Sequence, residues 1–149
     1  MNNKLFSAQY VNLNLTTNEK FATIEHLASL ASDRLVDVEK YIEDVKKREA
    51  ISTTGIGDGV AIPHAKSAFV KVPTVIVGKS SKGIEWESLD DQPVNIVFLI
   101  AVPDGEGDAH LKILQTLAIS LMNDDFKEEL LSLDDKEMIV TLVLEKTNN

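Results

Sequence analysis

One segment of the chain combines residue types that suit the transfer of a phosphoryl group. Residues 54–64, TGIGDGVAIPH, contain three glycines, then a short apolar run, and end with Pro63 and His64. A neutral imidazole has a lone pair on one ring nitrogen, titrates near physiological pH and attacks phosphorus without a separate base. Because proline fixes its own φ and restricts the residue before it, the backbone that carries His64 is stiffened. The segment therefore predicts a nucleophilic His64 placed for transfer, with a satisfied histidine at a strand end as the alternative.

Two further residues could complete such a site. His110 lies in the first turn of a predicted helix, where the helix dipole disfavours the protonated ring, so it could donate a hydrogen bond to a phosphate oxygen or orient His64. Arg48 could offer a planar guanidinium to phosphate oxygens. The alternatives are a surface histidine beside a helix cap and a cation that favours the negative end of a helix dipole.

The glycines of this segment allow two structures. Gly55, Gly57 and Gly59 can adopt positive φ, so the turn could aim backbone N–H groups at an anion or form a tight turn between helix and strand. Asp58 would repel a phosphate there unless its side chain turns outward or caps the turn. The pattern lacks the Gly-Lys-Ser/Thr ending of a nucleotide-binding loop and does not follow a strand as a dinucleotide fingerprint does, so no nucleotide or other cofactor is expected.

A metal site is the weaker alternative for the two histidines. Imidazole is a common zinc ligand, yet the chain has no His-Glu-x-x-His motif. A third ligand would have to come from Asp104, Glu106 or Asp108, and the sequence favours none of them. We expect no metal, and a metal-dependent hydrolase stays an alternative.

The composition indicates an ordinary soluble protein. The chain has 149 residues, 44% of them hydrophobic and 26% charged, so we expect one domain over residues 1–149. A net charge of -9 releases few counterions from a polyanion, so nucleic-acid binding is not expected. The absence of cysteine excludes disulfides and thiolate metal sites. No apolar run suits a signal peptide or a membrane span, so we predict a cytoplasmic protein with no direct membrane insertion.

Hydrophobic periodicity predicts the elements that must position the site. Residues 10–15 alternate as in a half-buried strand, and Thr16 with Glu19 forms a possible capping box before a first amphipathic helix. A second helix follows from the spacing of Val38, Tyr41 and later apolar residues, with Arg48 in its last turn.

Short β-branched runs in the middle of the chain predict one sheet. The runs are residues 60–62, 74–78 and 94–102, and the last is apolar almost throughout. Such a strand is central and covered on both faces, so helices must lie on both sides of the sheet. A helix with Asp108 as its N-cap and further helical periodicity over residues 126–131 and 138–144 complete a layered α/β domain.

Two segments resemble the enzyme IIA domain of the fructose-mannitol family (type 2) of the phosphoenolpyruvate-dependent sugar phosphotransferase system. They are residues 48–65, from Arg48 to the residue after His64, and residues 98–114, FLIAVP followed by HLKIL at His110. The match covers nearly the whole chain in order and spacing. It implies an α/β fold with a mixed β-sheet and helices packed on both faces.

The resemblance also implies a function. His64 would accept a phosphoryl group from the histidine phosphocarrier protein HPr and pass it to a cysteine of enzyme IIB. A sugar, expected to be fructose or a related sugar or polyol, would be phosphorylated during transport through the membrane enzyme IIC. His110 would be the second active-site histidine, and Arg48 a neighbour that stabilises charge. We expect these partners on other chains.

A regulatory role uses the same residue. In the nitrogen-type enzyme IIA group, phosphorylation of the corresponding histidine would switch the affinity for a protein target, and added phosphate charge is a sufficient physical switch. The sequence leaves this alternative open, because both roles depend on His64.

Overall fold

The computed structural model describes residues 5–105 and 111–147, and its centre is a six-stranded sheet. The strands are β1 (Val11–Asn12), β2 (Gly55–Gly57), β3 (Val60–Ala61), β4 (His64–Ser67), β5 (Thr74–Ile84) and β6 (Val94–Pro103). Their order is β1-β5-β6-β3-β2, and β4 also pairs with β6. Because β6 is antiparallel to β5 and parallel to β3 and β4, the sheet is mixed, as the resemblance implied.

Helices cover both faces of this sheet. Within the described residues they are α1 (Lys20–Leu30), α2 (Val38–Ile51), α3 (Leu111–Ser120), α4 (Asp124–Ser132) and α5 (Lys136–Thr147). Successive side chains of β6 point to opposite faces. Val97 and Leu99 belong to the hydrophobic cluster formed with α1 and α2, whereas Phe98 and Ile100 belong to the cluster formed with α3, α4 and α5. The prediction of a central strand covered on both faces is confirmed.

The start of α1 differs from the prediction. Glu19 is itself the N-cap, and its side chain accepts a hydrogen bond from the N–H of Ala22 at 2.8 Å, so the predicted capping box that begins at Thr16 is wrong. The reason lies in the tertiary structure. Glu19 forms an isolated parallel β-bridge with Glu85, and the Glu85 N–H donates to the Asn18 carbonyl at 3.0 Å. This pairing keeps the chain extended up to Glu19, and the helix begins one residue later.

Helix α2 lies where the sequence predicted a second helix, and its first turn is capped by a side chain. Asp37 is its N-cap and accepts a hydrogen bond from the N–H of Lys40 at 3.0 Å. The helix ends at Ile51, its C-cap Ser52 is extended, and Arg48 lies in its last turn as expected. From there residues 53–54 lead directly into β2.

Other boundaries also differ from the sequence-based prediction. The first strand covers Val11–Asn12 instead of residues 10–15, because Ala8–Tyr10 form a 3₁₀ turn. The structure adds β2 and β4, which the sequence did not predict, and extends β5 to Ile84. Asp108, the predicted N-cap of α3, lies outside the described residues. None of the helices in the described part of the chain has both the length and the apolar character needed to cross a membrane.

Candidate functional site

His64 begins β4 immediately after a break in the sheet. β3 ends at Ala61, and both β3 and β4 lie parallel to β6, with Ala61 opposite Val97 and His64 opposite Ile100. Pro63 separates the two strands, because it has no N–H to donate to the ladder. Its carbonyl accepts a hydrogen bond from the Ile100 N–H at 3.0 Å, which holds the break against β6. The sequence prediction that a stiff backbone carries His64 agrees with this arrangement.

Helix α2 ties down the strand that carries His64. The Ser67 hydroxyl donates to the Asp44 carboxylate at 2.6 Å, which joins the end of β4 to the helix. The buried hydroxyl of Tyr41 donates to the carbonyl of Ile100, the residue opposite His64, at 3.2 Å. Burial, followed by the charge of Asp44, raises the pKa of Tyr41, so its hydroxyl stays protonated and remains a donor.

The imidazole of His64 has one nitrogen already occupied. Its Nδ1 lies 2.9 Å from the carbonyl oxygen of Ile62, and the ring is half-buried. A carbonyl oxygen can only accept a hydrogen bond, so Nδ1 carries the proton. In the neutral ring, the lone pair is therefore on Nε2, which is the atom free to act as a nucleophile.

The surroundings of His64 favour this neutral form. Burial has the largest effect and lowers the pKa, and the positive charge of Arg48 lowers it further. The hydrogen bond to Ile62 and the negative charge of Glu49 act in the opposite direction. The net result is a pKa below the usual 6.5, so the ring is largely neutral at pH 7.

Arg48 forms hydrogen bonds at the end of its helix and also acts electrostatically on His64. Its Nη1 donates to the carbonyl of Ser52 at 3.0 Å and lies 3.4 Å from the Ser52 hydroxyl, so it caps the C-terminal end of α2. Its charge also acts on His64, as the pKa of the imidazole indicates. A guanidinium has five N–H donors, and the Ser52 contacts use those on Nη1. The structural alternative and the functional one are therefore compatible.

Glu49 is a residue that the sequence analysis did not select. It is 4% exposed and accepts hydrogen bonds from the Thr54 N–H at 2.9 Å and from the Thr54 hydroxyl. The Lys20 ammonium lies 4.0 Å from the same carboxylate. One signal was present: Glu49 continues the four-residue spacing of Tyr41 and Val45, which are buried on the inner face of α2.

The glycine segment is a tight turn between two strands. It joins β2 to β3 instead of joining a helix to a strand, and Gly57, Asp58 and Gly59 have φ of 102°, 57° and 80°. The N–H of Asp58 donates to the Asp90 carboxylate at 2.9 Å. Since a carboxylate already takes this donor, the geometry favours the tight turn over the anion cradle.

The side chain of Asp58 forms an ion pair with α4. Its carboxylate lies 2.9 Å from the ammonium of Lys127, which also lies 3.1 Å from Asp124. Burial acts to lower the pKa of Lys127, but the two carboxylates outweigh it and the pKa is raised. The exposed Asp58 side chain is thus turned outward to α4, which is one of the two orientations that the sequence analysis allowed.

His110 lies outside the described residues, and so do Glu106 and Asp108. The described chain reaches the exposed Asp104 after β6 and resumes at the start of α3. The structure thus relates His64 to Arg48 and adds Glu49, while the role of His110 stays a prediction.

The sequence matches a known family over nearly its whole length. A family model described as "Phosphoenolpyruvate-dependent sugar phosphotransferase system, EIIA 2" covers residues 4–146. The chain belongs to this family.

Two relatives that are named as fructose-specific EIIA or EIIABC components share sequence with the chain. It is 39% identical over 128 residues to the "PTS system fructose-specific EIIA component" of Haloferax volcanii, a match that covers 85% of this chain and 83% of that protein. It is 35% identical over 142 residues to the "PTS system fructose-specific EIIABC component" of Bacillus subtilis, covering 94% of this chain. The chain spans only 22% of that longer protein.

A solved structure supports the fold. The nitrogen regulatory protein IIA-Ntr from Neisseria meningitidis superposes with a TM-score of 0.88 at 24% identity, covering 93% of this chain and 96% of that one. At this identity the likeness shows the shared fold, a mixed sheet with helices on both faces.

Proposed function

We propose that this EIIA 2 protein is a phosphoryl carrier and that Nε2 of His64 is the atom that takes up the phosphoryl group. The observation that supports this most directly is the hydrogen bond from Nδ1 to the Ile62 carbonyl at 2.9 Å, which leaves the lone pair on Nε2. The lowered pKa keeps that lone pair available at pH 7. His64 therefore needs no separate general base.

The proposed reaction consists of two displacements at phosphorus. In the first, the Nε2 lone pair forms a bond to phosphorus while the phosphorus–nitrogen bond of phospho-HPr breaks, and the electron pair returns to the donor's imidazole. In the second, a thiolate of enzyme IIB forms a bond to phosphorus and the electron pair returns to Nε2. Nδ1 keeps its proton throughout. Such transfers depend mostly on placement and charge, so a stiff backbone at Pro63 suits them.

Two other residues have proposed roles. Arg48 offsets the negative charge of the phosphoryl group, and its electrostatic effect on His64 supports this. His110 donates a hydrogen bond to the transferred group, a role that rests on the family resemblance alone. Neither role requires a metal or a cofactor.

The names of the relatives guide the choice of partners and substrate. Two relatives at 35% and 39% identity are called fructose-specific, and the longer one is named as an EIIABC component. We infer that the carrier serves enzymes IIB and IIC in the uptake of fructose or a related sugar or polyol. We place this relay in the cytoplasm, as the sequence predicted.

The regulatory alternative has less support. The likeness to IIA-Ntr rests on the fold at 24% identity, whereas the fructose-specific relatives are closer in sequence. Transfer to purified enzyme IIB separates the two roles, because a relay passes the phosphoryl group on within seconds and a switch retains it.

The direct test of the carrier role is phosphorylation by phosphoenolpyruvate, enzyme I and HPr. Wild-type protein should gain one phosphoryl group, and His64→Ala should gain none. His26→Ala is the matched control, because His26 lies on α1 beside Asn12 and should leave uptake unchanged. Normal uptake by the His64→Ala protein would overturn the proposal.

A further inference from the structure

The buried carboxylate of Glu49 is connected to the imidazole of His64 by successive hydrogen bonds. Glu49 accepts from the Thr54 N–H at 2.9 Å and from the Thr54 hydroxyl. The Thr54 carbonyl accepts from the Ile62 N–H at 3.0 Å, and the Ile62 carbonyl accepts from Nδ1 of His64 at 2.9 Å. Each contact ends on the residue that begins the next, so a change at Glu49 reaches the imidazole through Thr54 and Ile62.

Glu49 is a carboxylate in a buried position that an uncharged side chain could fill. The residue is 4% exposed, and a buried carboxylate costs free energy unless it is hydrogen-bonded and paired. Its pairing is modest: the Lys20 ammonium lies 4.0 Å away and is also 3.6 Å from the Glu87 carboxylate. Because an uncharged side chain would fill this place without that cost, the two acceptor oxygens indicate a role beyond packing.

The hydrogen bonds transmit position more than charge. Within Thr54 and within Ile62, the N–H and the carbonyl belong to different peptide units, so polarisation passes poorly from one bond to the next. A fixed Thr54 nevertheless fixes the place of Ile62, and Pro63 leaves little freedom between Ile62 and His64.

We propose that Glu49 is a positioning residue for His64: by fixing Thr54 and thereby Ile62, it holds the imidazole with its proton on Nδ1 and with Nε2 directed at the incoming phosphorus. This inference rests on the proposed function, in which Nε2 accepts the phosphoryl group. Glu49 touches neither the imidazole nor the reacting atoms and is not a catalytic residue.

A smaller electrostatic effect accompanies the positioning. The ring of His64 gains positive charge as Nε2 bonds to phosphorus, and the negative charge of Glu49 favours that state through space. Arg48 on the same helix acts against it. Among the described residues, Lys20 of α1 is the cation paired with the Glu49 carboxylate, and Lys20 also pairs with Glu87 beyond β5. Removal of the Glu49 charge should therefore lower the pKa of His64.

Three substitutions at Glu49 separate placement from charge. Glu49→Ala removes both acceptor oxygens. Glu49→Gln retains a carbonyl oxygen for the Thr54 N–H but removes the charge. Glu49→Asp keeps the charge on a side chain one methylene shorter, which withdraws it from Thr54. The matched control is Glu43→Gln, since Glu43 is an exposed carboxylate on the same helix.

Three measurements are made on each protein. Nitrogen-15 chemical shifts of the His64 ring give the tautomer in the resting protein. The initial rate of phosphorylation by phosphoenolpyruvate, enzyme I and HPr gives the chemical effect, and the unfolding curve gives the folded fraction under the assay conditions.

The proposal predicts a specific pattern. Wild type, Glu43→Gln and Glu49→Gln keep the proton on Nδ1, whereas Glu49→Ala and Glu49→Asp show a mixture of tautomers. Phosphorylation of Glu49→Ala slows on the order of ten- to a hundredfold, because misplacement of a reacting group by about 1 Å has effects of this size. The phosphorylation rate of Glu49→Gln lies between those of Glu49→Ala and wild type, and the pKa of His64 in this variant is lower than in wild type.

The proposal is overturned if folded Glu49→Ala has the same tautomer and the same phosphorylation rate as wild type. If Glu49→Ala does not fold, the same result in folded Glu49→Asp overturns it. The proposal is also overturned if the slower phosphorylation of a Glu49 variant is explained wholly by its unfolded fraction. If wild-type His64 takes up no phosphoryl group, the proposed function fails instead, and the tautomer comparison still decides whether Glu49 positions the ring.

Discussion

At the scale of single residues, the site depends on which nitrogen of one imidazole is free. The bond between Nδ1 of His64 and the Ile62 carbonyl makes that choice, and burial keeps the ring neutral. The sequence selected His64 because a proline-stiffened histidine after a glycine turn suits transfer chemistry. It did not select Glu49, although its spacing from Val45 places it on the buried face of α2, because a charged residue near a helix end ordinarily lies in solvent. The folded structure buries its carboxylate against Thr54.

The pH dependence of phosphorylation should follow the lowered pKa of His64. Because burial keeps the folded pKa below 6.5, we expect the acid limb of the rate profile to have its midpoint below 6.5. Between the folded pKa and 6.5 the unfolded chain binds more protons, so this residue's contribution to stability also falls as the pH drops through that window. A proton NMR titration gives the pKa of His64, and initial rates over the same pH range give the midpoint of the acid limb. A midpoint above 6.5 in either measurement would contradict the assignment.

Arg48→Gln should affect His64 in two ways. Loss of the positive charge raises the pKa of the imidazole, since Arg48 lowers it, and removes a group that offsets phosphoryl charge. We expect phosphorylation to slow on the order of tenfold or more. Lys47→Gln removes an exposed charge from the same helix and serves as the control. Equal rates for the two variants would remove Arg48 from the mechanism.

At the scale of elements, the site depends on how α2 and the strands meet. The helix carries Arg48 and Glu49, and it holds β4 through Asp44 and β6 through Tyr41. The sequence predicted the long elements well, because α2 has helical periodicity and β6 is a continuous apolar run. It missed β2 and β4, since the three-residue strand Gly-Ile-Gly and a four-residue strand beginning at His64 are too short to show an alternating pattern. Their positions are set by pairing with β3 and β6.

The N-cap of α2 offers a test at this scale. Asp37→Ala removes the acceptor for the Lys40 N–H and should lower the free energy of unfolding by about 1 kcal/mol. Glu43→Ala changes an exposed carboxylate in the middle of the same helix and should change it by less than about 0.5 kcal/mol. Urea denaturation compares the two variants. Equal losses of stability would argue against Asp37 as the cap.

At the scale of the whole molecule, family membership and architecture agree with each other. The resemblance read from two sequence segments agrees with the family match over residues 4–146, and the mixed sheet covered on both faces is the predicted architecture. Sequence patterns alone could not supply the parallel pairing of β3 and β4 with β6, because that pairing joins residues more than thirty positions apart.

Transfer to a partner distinguishes a relay from a switch. The phosphorylated protein, mixed with purified enzyme IIB of the fructose type, should lose its phosphoryl group within seconds. An enzyme IIB whose acceptor cysteine is replaced by serine is the control and should leave the phosphoryl group on His64. Retention with both forms of enzyme IIB would favour the regulatory role.

The central claim is tested most directly by locating the phosphorus after charging with phosphoenolpyruvate, enzyme I and HPr. Phosphorus-31 and nitrogen-15 NMR of the ring-labelled protein identify both the residue and the nitrogen. We predict a single phosphohistidine with phosphorus on Nε2 of His64 and the proton retained on Nδ1. Phosphorus on Nδ1 of His64, or on any other residue, would contradict the account.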